Sequence, residues 1–238
     1  MEKIWTEGVI LKMENQGEAD QFLTLFTKDF GKFEILAKSI RKIASKLRLG
    51  IELFYLSKLC FAQGKSFKIL TDVILLEKFK NIRNDLEKLE IAYRILETTD
   101  SLIKDEEKDE VIWQLLIETL ERLNKLQITS YKLQYHYFLW HFFSLLGYKP
   151  ELYFCFNCQK KLRPGKLRFS LIDGGIICED CFKKNQNTYK NAMEIDINTV
   201  KILRIILEKK LNILEKVKKG IDEKNLEEIS QISLNMLK

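Results

Sequence analysis

A chain of 238 residues, 46% hydrophobic and 31% charged, can bury one or two cores, which excludes a disordered protein. Its longest apolar stretch, Tyr135 to Leu146, is broken by His136, His141 and Ser144 and falls short of the roughly 20 residues that cross a membrane. No apolar leader follows Glu2 and Lys3, and the net charge is +6, so the expectation is a cytoplasmic protein with an anionic partner and no membrane.

The charge is uneven. Residues 1–76 carry 12 basic and 9 acidic groups, residues 77–154 carry 11 and 14, residues 155–190 carry 8 and 3, and residues 191–238 carry 9 and 8. The N-terminal part and the segment 155–190 are therefore the positive regions, which favours a nucleic-acid partner.

In chain order, the first 77 residues read as five strands: Gly8–Met13, Phe22–Thr27, Phe33–Ala37, Glu52–Ala62 and Phe67–Leu76. Turn signals separate them at Lys28-Asp29-Phe30-Gly31-Lys32 and Gln63-Gly64-Lys65-Ser66. Five short strands suit a small closed barrel, and an OB-fold has that number, although spacing alone does not distinguish an OB barrel from an SH3-like one. Between the third and fourth strands, Ile35 to Ile51 holds Lys38, Arg41, Lys42, Lys46 and Arg48 and no acidic residue. With Ile40, Ile43, Leu47 and Ile51 on one side, the cations would form a phosphate-tracking face; the alternative is a solvated connection.

From Asn81 the period is helical. Leu86, Leu89, Tyr93, Leu96 and Ile103 trace one face; Ile112, Leu115, Thr119, Leu123 and Leu126 trace another. Thr129 is placed to cap a third helix that runs to about Leu146 and is apolar nearly all round, as a central helix of a bundle would be. Gly147 fits its C-terminal cap, with Pro150 beyond. His136 and His141 within it read as core histidines. Ile197–Leu211 and Leu226–Leu237 return to helical spacing. No paired carboxylates, Ser/His/Asp set or phosphate loop is present in the sequence, so the expectation is a protein that is not an enzyme.

Between those helical regions stand Cys155-x2-Cys158 and, after 19 residues, Cys178-x2-Cys181. A two-residue gap lets one knuckle turn both thiolates toward one metal, and two knuckles complete a tetrahedron. The expectation is one structural zinc ion per chain, closed to a fifth ligand and so not catalytic; redox dithiols or unrelated core cysteines are the alternatives. Leu167–Leu171 and Ile176–Ile177, joined across Asp173-Gly174-Gly175, read as a hairpin between the pairs. Cys60 lies in a strand pattern as a small core residue.

These residues together resemble the RecO family of bacterial DNA repair proteins. The similarity runs from Gly8-Val9-Ile10-Leu11 through Gly17-Glu18-Ala19-Asp20 and Leu25 to Lys32, and continues in Ala37-Lys38-Ser39-Ile40-Arg41-Lys42. It is most specific in Leu146-Gly147-Tyr148-Lys149-Pro150-Glu151-Leu152 before the first cysteine pair, followed by Phe169-Ser170, Gly174-Gly175 and the second pair. Ser39 departs from the pattern, standing where family members usually have glycine.

The resemblance implies an α+β multidomain chain: an N-terminal OB-fold β-barrel (1–79) followed by an all-α helical domain (80–238) with an embedded four-cysteine zinc module (150–190). It implies a nucleoid-associated recombination mediator of the RecF pathway that binds and anneals single- and double-stranded DNA. Such a mediator works with RecR and helps load RecA on DNA coated by single-strand-binding protein. It also implies that the helical domain docks the acidic C-terminal tail of single-strand-binding protein, for which Arg122, Lys125 and Lys132, flanking Leu126, Ile128 and Leu133, are the candidate residues. An RNA-binding or transcription-associated protein and a non-catalytic scaffold are the competing readings.

Overall fold

The computed structural model describes residues 3–104, 106–125, 131–208 and 221–237. They form two compact units, Met1–Tyr131 and Lys132–Lys238.

The first unit is built on a closed barrel of strands β1 (Ile4–Gln16), β2 (Asp20–Thr27), β3 (Gly31–Ala37), β4 (Leu56–Gln63) and β5 (Lys68–Glu77), in the order β1-β2-β3-β5-β4. All neighbours are antiparallel except β3 and β5, which pair parallel at Ile35↔Lys68 and Leu36↔Ile69. That closure is OB-like and sets aside the SH3-like alternative. Strand β1 serves two neighbours: Ile4–Val9 pair with β4 and Gly8–Gln16 with β2, with a bulge between Ile10 and Lys12 where the strand bends. Ile10, Leu23, Leu25, Phe33, Ile35, Leu59, Phe61 and Leu70 fill the interior.

The fourth strand begins at Leu56, not at Glu52. Phe54 takes a left-handed φ of 68°, which no strand accommodates, and its N–H donates to Ile10 O (3.4 Å). Gly31 closes the β2–β3 turn at φ 68°, and a Cβ there would overlap the Glu107 backbone, so glycine is needed twice over.

Helices α1 (Lys80–Arg83), α2 (Leu86–Leu102) and α3 (Glu110–Lys125) complete the unit, and Phe26 of β2 packs on Trp113 of α3, ring centroids 5.9 Å apart. Asp85 caps α2 by accepting from the N–H groups of Glu87 and Lys88. The buried face of α2 is Ile91, Ala92, Ile95, Leu96, Thr98 and Thr99; Leu86 (83% exposed) and Tyr93 (47%) lie outside it, a rotation from the expected stripe. In α3 the expected face holds: Ile112, Leu115, Thr119 and Leu123 are buried, and Leu126 lies outside the described residues.

The second unit opens with α4 (Tyr131–Leu145), whose aromatic stretch is buried as expected, with Phe138, Leu139, Trp140 and Phe142 at 0% exposure. The expected cap Thr129 lies outside the described residues. Gly147, at φ 93°, ends the helix and hands its N–H to Ser144 O (3.2 Å). A four-stranded sheet follows, of β6 (Glu151–Cys155), β7 (Leu167–Ser170), β8 (Gly175–Ile177) and β9 (Met193–Ile195) in the order β6-β8-β7-β9. The expected hairpin is β7–β8, paired Arg168↔Ile177 to Ser170↔Gly175. Helices α5 (Glu179–Lys184), α6 (Ile197–Glu208) and α7 (Glu223–Met236) complete the unit. Of the two expected core histidines, His136 is buried and His141 is half-buried, its Nε2 meeting Ile206 O at 2.8 Å, with burial lowering its pKa. No helix among the described residues is long and apolar enough to cross a membrane.

Candidate nucleic-acid interface and metal centre

The cationic segment caps one end of the barrel. Residues 38–55 have no strand partner; they turn through Lys42 N–H to Ser39 O (3.2 Å) and Ser45 N–H to Lys42 O (3.0 Å), then through a 3-10 turn at Lys46–Gly50. Ile40 and Ile51 are buried in the barrel core, and Leu47, Leu53 and Tyr55 pack against it. Apolar residues plug the barrel, and the chain between them is forced outward. Lys38, Arg41, Lys42, Lys46 and Arg48 are all exposed, and among the described residues none of the five takes part in an ion pair. Ile43 departs from the expected buried side: it is 94% exposed, and Leu49 is 78% exposed.

Two anchors hold this cap. At its start, the Ser39 N–H donates to Asp20 Oδ1 (2.6 Å), the Arg41 N–H to Ala19 O (3.0 Å), and Arg41 Nη1 to Gly17 O (3.2 Å). At its end, Ser57 Oγ donates to Gly50 O (2.7 Å). Asp20 is a positioning residue that pattern reading misses. It stands in the family-like Gly17-Glu18-Ala19-Asp20, but spacing does not tie it to a loop 19 positions away. Ser39 itself sits at φ 54°, in the left-handed region where a glycine would be unstrained.

The four cysteines converge in the second unit. Strands β6 and β8 run parallel side by side, so Cys155 at the end of β6 lies beside Cys178 just beyond β8. The first knuckle closes through Gln159 N–H to Cys155 O (2.9 Å) and Cys155 N–H to Lys160 O (2.8 Å), with Gln159 at φ 57°. The second is the start of α5, which carries Cys181 in its first turn. All four Sγ atoms lie within 4.8 Å of one another, and Cys158 and Cys178 Sγ are 3.9 Å apart. A metal–sulfur bond of about 2.3 Å at tetrahedral angles requires sulfurs about 3.8 Å apart. The set could hold a metal ion, and its spacing fits zinc. All four cysteines are free thiols, not disulfides.

The surroundings prepare for a cation. Burial acts to raise the Cys155 thiol, but backbone N–H groups of Cys158, Cys178 and Asn157 outweigh it and bring the pKa down to about 7. Burial and the neighbouring sulfurs push Cys181 up to about 12. Burial raises the Cys178 thiol as well, so a positive charge among the sulfurs would favour the thiolates of Cys178 and Cys181. Around the sulfurs the core is small: Ile177, Tyr189 and Ala192 are buried with them, and Leu162 and Phe182 pack alongside.

Of the three candidate tail-binding cations, Arg122 and Lys125 stand in the last turn of α3, where Lys125 Nζ pairs with Glu121 Oε2 at 3.5 Å. The side chain of Lys132, with Leu126 and Ile128, lies outside the described residues, and Leu133 is buried within its own unit. Cys60 is fully buried in the first unit, as its strand pattern suggests.

A five-stranded barrel of this order, capped by exposed cations, defines an OB-barrel protein, a class whose strands and loops hold oligonucleotides and oligosaccharides. The family model described as recombination protein O N terminal matches residues 1–79, and that described as recombination protein O C terminal matches residues 83–238. The chain belongs to the RecO family of DNA repair and recombination proteins. It is 38% identical over 203 residues to the DNA repair protein RecO of Dehalococcoides mccartyi strain 195, covering 85% of this chain and 78% of that protein. To the DNA repair protein RecO of Roseiflexus sp. strain RS-1 it is 32% identical over 213 residues, 87% of this chain and 71% of the relative. With that of Acetivibrio thermocellus the similarity spans all of this chain and 92% of the relative at 28% identity.

Proposed function

We propose that the protein is a non-catalytic recombination mediator that binds DNA through its barrel domain, residues 1–79. The observation that carries this reading is the cap of five exposed cations, held outward by a plug of buried isoleucines and free of ion pairs among the described residues. Lys38, Arg41, Lys42, Lys46 and Arg48 contact phosphates; Cys155, Cys158, Cys178 and Cys181 hold one structural zinc ion. In the family role, the protein anneals complementary strands and works with RecR to place RecA on strands covered by single-strand-binding protein, docking that protein's tail on the helical domain (80–238). The site of action is the cytoplasmic nucleoid.

Electrostatic binding predicts its own salt dependence. Five phosphate contacts give log K against log salt a slope of about −3.5, at roughly −0.7 per contact on single strands. Replacing Arg41 and Lys42 with Ala flattens that slope by about 1.4 on the same basis. Fluorescence anisotropy of a labelled oligothymidylate between low and moderate salt measures both numbers. An unchanged slope in the variant makes the cap a solvated face. A preference for RNA over DNA of equal length favours the transcription-associated reading, and no salt-dependent binding at all favours the scaffold.

A further inference from the structure

The cysteine module has a surface that the proposed function leaves unused. Residues 155–190 carry 8 basic and 3 acidic groups, a local excess of five charges in 36 residues. The structure concentrates four of the cations in one place. Lys160, Lys161, Arg163 and Lys166, on the stretch between the first knuckle and β7, line an open cleft of about 590 Å³ together with Cys178 and with Glu179 and Asp180 at the start of α5. All four cations are exposed. Among the described residues none of them is in an ion pair. Glu179 is already engaged, by Lys183 at 2.8 Å. Four exposed cations thus face two lining carboxylates, one of which is already paired.

We infer that this cleft is a second nucleic-acid contact, taking the phosphate backbone of a strand other than the one on the barrel cap. Its chemistry selects that ligand. An acidic peptide gains most of its affinity from an apolar anchor seated in a pocket, and the large apolar side chain lining this cleft, Leu167, is 3% exposed and committed to the sheet. A phosphate backbone needs only cations along its path. Phe154, bridged across the strand to Lys161 and 43% exposed, offers a ring face on which a base can stack. The cap and the cleft belong to different compact units of the chain.

The inference rests on the reading of the chain as a DNA-binding protein, and the test keeps the two apart. With an oligothymidylate of about four nucleotides, phosphorylated at both ends and at the lower end of what one OB fold takes, titration of the full chain should give two bound strands. Replacing Lys160, Lys161 and Arg163 with Gln should reduce this to one, with the remaining site keeping the cap's slope of about −3.5. The lost site should have a slope of about −2.8, for four contacts at roughly −0.7 each. Equal metal content in variant and wild type shows that the module is intact. Should the variant lose its metal, acetylation of the unaltered protein decides: the oligonucleotide should slow modification of Lys160, Lys161 and Lys166 severalfold at low salt and not at high salt. A single bound strand in the wild type, two in the cleft variant, or unchanged acetylation of those lysines while Lys38, Lys42 and Lys46 are protected overturns the cleft and leaves the barrel reading standing. Loss of binding to an acidic peptide with DNA stoichiometry unchanged assigns the cleft to a protein partner and overturns it too. Absence of protection at both lysine sets removes the DNA-binding reading itself.

Discussion

At the scale of single residues, the cap is held by conformations more than by contacts. Ser39 sits at φ 54° so that its N–H can reach the Asp20 carboxylate. A left-handed conformation costs an L residue about 1–2 kcal/mol, while glycine loses about 0.5–1 kcal/mol in chain entropy. The backbone bond to Asp20 survives the change, so Ser39→Gly should stabilise the protein by about 0.5–1 kcal/mol, read as a higher urea midpoint at unchanged m-value. A lower midpoint would mean that the serine side chain contributes more than the strain removes. In the sequence Ser39 is only a departure from a family pattern; its φ gives that departure a physical meaning. Ile43 is the converse. Its spacing from Ile40 and Leu47 reads as one buried side, but spacing assumes a regular period, and residues 38–50 turn irregularly, so a side chain three positions from a buried one points to water.

At the scale of elements, legibility follows local chemistry. The β7–β8 hairpin is readable because Asp173-Gly174-Gly175 marks its turn and the flanking residues are apolar. Strand β9 is not, because three residues paired with β7 leave no periodic trace. The apolar face of α2 is misplaced by its spacing because Leu86 and Tyr93 are apolar yet exposed, and burial is decided by what the barrel presents to the helix, not by composition alone. The two cysteine pairs are readable at once, since thiolate spacing follows from the metal and not from the fold. This gives the element-scale prediction. With so few buried apolar neighbours, the module would draw its stability from the proposed ion, since structural zinc contributes about 10–16 kcal/mol of apparent binding energy in small peptides. Cys158→Ser or Cys178→Ser should release zinc, measured by elemental analysis, and open residues 150–195 to limited proteolysis. Either variant resisting protease as the wild type does would make the cysteines a packing cluster.

At the scale of the whole molecule, the proposed mediator role would separate two tasks: holding bare strand and reaching strand that another protein already covers. An acidic tail that ends on an aromatic residue needs cations beside an apolar slot, because its carboxylates want charged donors while its ring wants burial. Arg122 and Lys125 at the end of α3 supply cations, and they are also where the helix dipole favours positive charge without any ligand. Changing both to Glu separates the two explanations. The dipole term and the exposed Lys125–Glu121 pair are each worth at most about 1 kcal/mol, so the double variant should remain folded, with a modestly lower melting temperature. If the cations dock the tail, affinity for a tail peptide should fall at least about tenfold while affinity for bare oligothymidylate, proposed to rest on Lys38 to Arg48, stays within about twofold. Replacement by Gln should give a smaller loss in the same direction, because it removes attraction without adding repulsion. If only the melting temperature moves, the two residues are a helix terminus and the tail binds elsewhere. If peptide and DNA affinities fall together, one surface serves both ligands and covered strand would have to compete for the site that holds bare strand, which is incompatible with assigning DNA to the barrel and the tail to the helices.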